Sequence, residues 1–200
     1  MSITFFLVRH ALKEKAIGDV TLTDEGIKQA ASTAKHFKYL PVTAIYSSPL
    51  RRAKETAECI AHTNKLQVAV DDRLRERANW GDLQGQTFEE FIAMWERGTY
   101  EPEYIPPIGD TSKQAGERLA LLITQLAGEH PSQSNVVLVT HGGLITDFLV
   151  HHFPSHELNV LHPDFVSVQS QLIPECSVTT LSYDRGRFNI VDFASVDHLN

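Results

Sequence analysis

Residues 3–8 and 135–140 run apolar with almost no alternation between apolar and polar positions. Strands buried on both faces of a parallel sheet carry this pattern, whereas half-exposed strands alternate. A third run, Val42-Thr43-Ala44-Ile45-Tyr46, stops at Ser47-Ser48-Pro49, and a short one spans residues 66–70. Between these runs the apolar positions take helical spacing. Thr23 can cap a helix with Asp24 and Glu25 in its first turn and Ile27, Ala30, Ala31, Ala34 and Phe37 on one face. A second helix is predicted over residues 49–61, with Leu50, Ala53, Ala57 and Ile60 turned inward. Thr87 with Glu90, and Thr111 with Gln114, each form a capping-box pattern. The first precedes Phe88, Phe91, Ile92 and Trp95; the second precedes Ala115, Leu119, Leu122, Ile123 and Leu126. Gly142-Gly143 opens a further helix carrying Leu144, Ile145, Phe148 and Leu149. Residues 176–183 and 187–193, joined by Asp184-Arg185-Gly186, read as an antiparallel hairpin.

Strands alternating with helices and closed by a hairpin predict an α/β fold, a three-layer α/β/α sandwich with a mostly parallel central sheet. Two stretches fall outside this scheme. Residues 98–110 contain Pro102, Pro106 and Pro107 and predict irregular structure. Residues 153–175 read as a long loop, suited to a lid or to a subunit contact in a homo-oligomer. At 200 residues the length fits one domain over 1–200, with a small cap or insert around 78–118.

Composition narrows the function classes. A 42% hydrophobic and 22% charged chain is ordinary for a soluble globular protein. The formal charge of −7 argues against nucleic acid or anionic membranes as general partners, since both attract basic surfaces. Cys59 and Cys176 lie far apart, in no metal-ligand spacing, and predict two buried thiols rather than a disulfide framework. The first residues carry no basic n-region, and the apolar run at 3–8 is too short to span a bilayer, so a cytoplasmic location is expected.

Local clusters of cations stand out against this acidic background. In open α/β sheets, ligands bind where strands end. Here the first strand ends in Arg9-His10, the second leads through Ser47-Ser48-Pro49-Leu50 into Arg51-Arg52, and the run at 135–140 leads into His141-Gly142-Gly143. Side by side, these ends would bring two arginines, two histidines and a helix N-terminus to one point. Such a site suits a phosphate dianion, because guanidinium forks bind its oxygens and the helix dipole adds to the field. A neutral imidazole is a competent nucleophile near pH 7, and a second one can stabilise the group in transfer. Phosphoryl transfer otherwise needs positioning and charge stabilisation, which two arginines supply without a metal or other cofactor. Glu76, after Arg73-Leu74-Arg75, is the candidate acid for the leaving oxygen and base for water. The alternative for Glu76 is a surface carboxylate paired with Arg75 or Arg77.

These residues resemble the histidine phosphatase (phosphoglycerate mutase-like) superfamily. Leu7-Val8-Arg9-His10, Ser48-Pro49-Leu50-Arg51-Arg52-Ala53 with Thr56-Ala57, Leu74-Arg75-Glu76, and Val139-Thr140-His141-Gly142 occur in that family's order. Gly81, Gly85 and the turn Gly109-Asp110-Thr111 fit it as well, so the likeness covers about residues 4–183. The resemblance implies His10 as nucleophile, Glu76 as proton donor and acceptor, and Arg9, Arg52, His141 and Gly142 as the phosphate pocket. It selects Arg52 over Arg51, because the family's arginine directly precedes an alanine. The chain departs from the pattern after the first histidine, where Ala11-Leu12-Lys13 replace a glycine, an acidic or polar residue and a hydroxyl. Lys13 or Lys15 is the replacement that segment offers.

The superfamily holds phosphatases and mutases. Mutases resemble this chain around the five core residues but carry a longer insert with a paired-arginine clamp. Between Asp82 and Arg118 this chain has only Arg97 and Lys113 as cations, against Glu89, Glu90, Glu96, Glu101 and Glu103. An acidic cap repels a glycerate bisphosphate, so hydrolysis of a small phosphate monoester is expected. The alternatives are mutase-type transfer, a phosphate-binding relative without turnover, and a metal site on His151, His152, His156 and His162.

Overall fold

The uninterrupted apolarity of the strand β1 (Ile3–Arg9) and the strand β4 (Asn135–Thr140) follows from their place at the centre of one sheet. In the computed structural model, which describes residues 2–200, they pair in parallel from Thr4↔Asn135 to Arg9↔Thr140. The other strands are β2 (Val42–Ser47), β3 (Val68–Val70), β5 (Val178–Asp184) and β6 (Arg187–Ser195), giving the order β3-β2-β4-β1-β5-β6. β3, β2, β4 and β1 are parallel, and the β5–β6 hairpin joins β1 antiparallel.

Because side chains alternate along a strand, β1 and β4 each supply two cores. Phe5 and Leu7 of β1, with Val136 and Leu138 of β4, pack against helices α4 (Ser112–Glu129) and α5 (Gly142–His152). Phe6, Val8, Val137 and Val139 pack on the opposite face against α1 (Asp24–Phe37) and α2 (Arg51–Asn64). Helix, sheet and helix therefore form three layers, as the patterning predicts. Thr23, Thr87 and Thr111 each accept a hydrogen bond at the expected helix start, and the latter two complete capping boxes for α3 (Phe88–Tyr100) and α4.

Three expectations need correction. Residues 153–175 are mostly helical, with α6 (Ser155–Leu161), α7 (Phe165–Val168) and a 3₁₀ turn at Gln169–Gln171. Leu158 and Phe165 are fully buried in the core beside α4 and α5, so tertiary packing stabilises helices too short to persist alone. The proline-rich stretch begins three residues late, because α3 continues through Tyr100. Of the two cysteines only Cys176 is buried; Cys59 is partly exposed, and both are free. No helix among the described residues is long and apolar enough to cross a membrane.

The strand register aligns the ends that carry the cations. Arg9 lies opposite Thr140, and Ser47 opposite Val139, so β1, β2 and β4 end in one row. The ladder continues one residue further through His10 N–H to Thr140 O (2.9 Å) and Ser48 N–H to Val139 O (3.0 Å). His10, Ser48 and His141 thus leave the sheet side by side.

Candidate active site

The ring centroids of His10 and His141 are 5.1 Å apart, and both residues are almost completely buried. His10 Nδ1 lies 2.8 Å from Ala11 O, and Arg52 Nε–H donates to His10 Nε2 at 3.2 Å. A carbonyl only accepts and a guanidinium only donates. These partners assign the proton to Nδ1 and leave the Nε2 lone pair on the side of Arg52. The turn is anchored from below, since Thr56 Oγ1 accepts from Ala11 N (3.0 Å) and donates to Arg52 O (2.8 Å). Burial, then the charges of Arg52 and Arg9, hold the His10 pKa well below the usual imidazole value, with the Ala11 carbonyl opposing them. His141 is lowered in the same way, by burial, Arg52 and His10. Both imidazoles are therefore neutral at pH 7.

Arg52 and Arg51 face different ways. Arg52 is buried beside His10, whereas Arg51 is exposed and pairs with Glu55 at 2.7 Å. His141 precedes α5 as its N-cap residue, and its Nε2 meets Ser48 Oγ at 2.7 Å. Three buried polar atoms in this group have no protein partner: Arg9 Nε, Arg52 Nη1 and His141 Nδ1. Left unmet, a buried polar group costs about 1–3 kcal/mol. Their convergence marks a place built for an acceptor-rich anion.

Glu76 pairs with neither neighbouring arginine. Its Oε2 accepts from Gly143 N (3.0 Å) and its Oε1 from Arg77 N (3.1 Å). Arg75 is drawn away by Asp82, with both carboxylate oxygens within 2.8 Å of Nη2. Arg77 points into the protein, where it pairs with Asp147 at 2.6 Å, donates to Trp95 O and Thr99 Oγ1, and stacks on the Trp95 ring at 3.8 Å. The loop bearing Glu76 is fastened at its backbone. Arg118 of α4 donates to Arg73 O and Arg75 O, Thr140 Oγ1 donates to Leu74 O, and Asp110 N donates to Arg77 O. Gly109 permits that last contact, because a Cβ there would lie 2.1 Å from Arg77 O and its φ is +92°.

These residues line one cavity of about 360 Å³, together with Lys13, Glu175, Gly142, Gly143 and the apolar face of α3. Five residues singled out from the sequence, Arg9, His10, Arg52, Glu76 and Gly142, meet at its edge; His141 lies directly behind them. Gly142 is the first residue of α5, and a Cβ on it would sit 3.4 Å from Arg9 Cδ. Lys13 reaches the cavity and Lys15 is exposed, which decides between the two lysines. Burial and the charges of Arg52 and Arg9 lower the Lys13 pKa, against the pull of Glu175. Two contributors, Ile173 and Glu175, carried no sequence signal, and Gly143 was legible only as a helix start. Glu175 pairs with Arg9 at 2.5 Å, and Ile173 O accepts from the same guanidinium. Gly143 holds Glu76. Among the described residues the four histidines of the metal-site alternative form no metal-holding group: His151 faces Ser112, His152 stacks beside Phe148 and Phe188, His156 is exposed, and His162 bonds Pro163 O.

The profile of the histidine phosphatase superfamily (branch 1) matches residues 5–195. A Bacillus subtilis protein described as the uncharacterized phosphatase PhoE is 28% identical over 97% of this chain and 95% of its own length. The putative phosphoserine phosphatase 2 of Hydrogenobacter thermophilus is 32% identical over 70% of this chain and 73% of its own. Among solved structures, the mycobacterial glucosyl-3-phosphoglycerate phosphatase superposes with a TM-score of 0.74 at 25% identity, covering 98% of this chain and all of that one. The chain belongs to the histidine phosphatase superfamily, as an enzyme that hydrolyses phosphate esters.

Proposed function

We propose that the chain hydrolyses a small phosphate monoester through a phosphohistidine on His10, without a metal ion. The observation that carries this reading is the convergence of three unpartnered buried polar atoms, Arg9 Nε, Arg52 Nη1 and His141 Nδ1, around a neutral histidine whose Nε2 lone pair accepts only from Arg52. The phosphoryl oxygens draw Arg52 away from Nε2, and the N–H groups at the start of α5 add to the field. Nε2 then forms a bond to phosphorus as the ester P–O bond breaks. Protonated Glu76 gives its proton to the leaving oxygen. In the second step the Glu76 carboxylate takes a proton from water, the oxygen attacks phosphorus, and the P–N bond breaks to return neutral His10 and release phosphate.

Hydrolysis rather than return of the group to a glycerate is supported by the cap. Its two cations are spent elsewhere: Arg97 pairs with Glu101 and covers the Tyr104 ring, and Lys113 pairs with Glu103. Free thiols at Cys59 and Cys176 suit the reducing cytoplasm. His10→Ala is expected to lower phosphomonoester turnover by more than about a thousandfold, and the native enzyme to keep its activity in a chelator. Wild-type turnover by His10→Ala would overturn the mechanism, and inactivation by the chelator its metal independence.

A further inference from the structure

The cavity above the phosphate site has two walls of opposite character. One is apolar and largely aromatic: Trp80, Phe88, Phe91, Ile92 and Trp95, all from α3 or the loop before it. Their spacing is that of a helix face made for a core, yet only Met94 and Gly98 of α3 are buried, and Phe88 is 49% exposed. Trp80 and Phe88 meet edge to face at 5.0 Å, and Phe91 and Trp95 lie tilted against each other at 6.0 Å. An exposed apolar patch continuous with a polar pocket marks a surface kept for a ligand.

This wall begins at the reacting bond. A Cβ built on Gly143 would lie 2.5 Å from the Trp95 ring and 2.8 Å from Glu76 Oε1, so indole and carboxylate flank the same point. Whatever is attached to the leaving oxygen that Glu76 protonates meets Trp95 next. Arg77, stacked on that indole at 3.8 Å and tied to Asp147, holds it there. The second wall carries the Glu175 carboxylate, paired with Arg9 and facing the cavity beside Lys13. A second anionic group on the substrate would meet this carboxylate, and the Phe88, Phe91 and Ile92 side chains opposite offer it no donor.

We propose that the cavity selects phosphomonoesters whose leaving group is an uncharged aromatic or bulky apolar alcohol. Phe91, Phe88 and Trp95 determine that preference, and Glu175 acts against leaving groups bearing a carboxylate. The inference rests on the phosphohydrolase reading and names its substrate class.

Three primary-alcohol phosphates separate side-chain recognition from bond reactivity: ethyl, 2-phenylethyl and 2-carboxyethyl phosphate. The expected kcat/KM for 2-phenylethyl phosphate exceeds that for ethyl phosphate by about tenfold or more, mostly through KM, with 2-carboxyethyl phosphate the poorest. Phe91→Ala brings the phenylethyl-to-ethyl ratio to within about twofold of one, and the partly exposed Phe88→Ser lowers it in the same direction. A ratio does not depend on the fraction of folded enzyme. Glu175→Gln raises the carboxyethyl-to-ethyl ratio several-fold. Equal turnover of ethyl and 2-phenylethyl phosphate by the native enzyme overturns this inference and leaves the His10 reading standing. No turnover of any of the three, with no phosphoenzyme formed, overturns both.

Discussion

Helices α3 and α4 begin alike and end in different surroundings. Each opens with a threonine capping box and carries apolar residues at helical spacing. On α4 that stripe is core: Leu119, Leu122 and Ile123 are fully buried against the sheet. On α3 it is the wall of a cavity, with Phe88 and Ile92 in contact with solvent. The same local rules build both helices, and only long-range packing decides whether an apolar face stabilises the fold or meets a ligand. Where a protein leaves such a face uncovered beside buried, unpartnered donors, stability has been given up for binding.

Substitution tests this contrast most strongly. Leu122→Ala on α4 is expected to cost about 2–5 kcal/mol in urea denaturation, from lost burial and a residual cavity. Ile92→Ala on α3 is expected to cost less than about 1 kcal/mol, since its side chain is 37% exposed already. Equal costs would show that the α3 stripe is core after all. The next test joins α3 to the chemistry. Gly143→Ala must push aside Trp95 and Glu76, and is expected to lower kcat/KM by about a hundredfold while the fold persists. A methyl group tolerated there without loss would mean that neither residue is held where the mechanism needs it.

A smaller effect concerns protons. The pKa of His10 is depressed in the fold, so its free base survives below the ordinary imidazole value of 6.5. The acid limb of kcat/KM, measured on the free enzyme, is expected below that pH. Stability moves with pH in a direction set by the same depression. Between the depressed folded value and 6.5 the unfolded chain binds more protons, so the contribution of His10 and His141 is complete above about 6.5 and is lost as pH falls. Leu122→Ala changes no titrating group, so its stability is expected to fall with pH in parallel with that of the native protein.

Much of this arrangement is legible in the sequence, for identifiable reasons. β1 and β4 are buried on both faces, and nothing but continuous apolarity satisfies that position. Arg9-His10, Arg52 and His141-Gly142 are legible because strand ends in an α/β sheet are where ligands gather, and because four short motifs recur in one order. The helices at 153–175 are not legible, because they are one or two turns long and owe their stability to Leu158 and Phe165 reaching a distant core. The pair Arg77–Asp147 spans 70 residues, and nothing in either local sequence announces it. Gly143 reads as a helix start, yet its further duty, donating to Glu76 under the edge of Trp95, exists only when three separate segments meet.

The central claim is that His10 Nε2 carries the phosphoryl group. Rapid acid-free quenching of the enzyme during turnover, with peptide mass analysis of the product, tests it directly. One phosphoryl group is expected on the peptide containing His10, lost on mild acid treatment and absent in His10→Ala. A stable phosphoryl group on another residue, or turnover with no phosphoenzyme at any time, would contradict it.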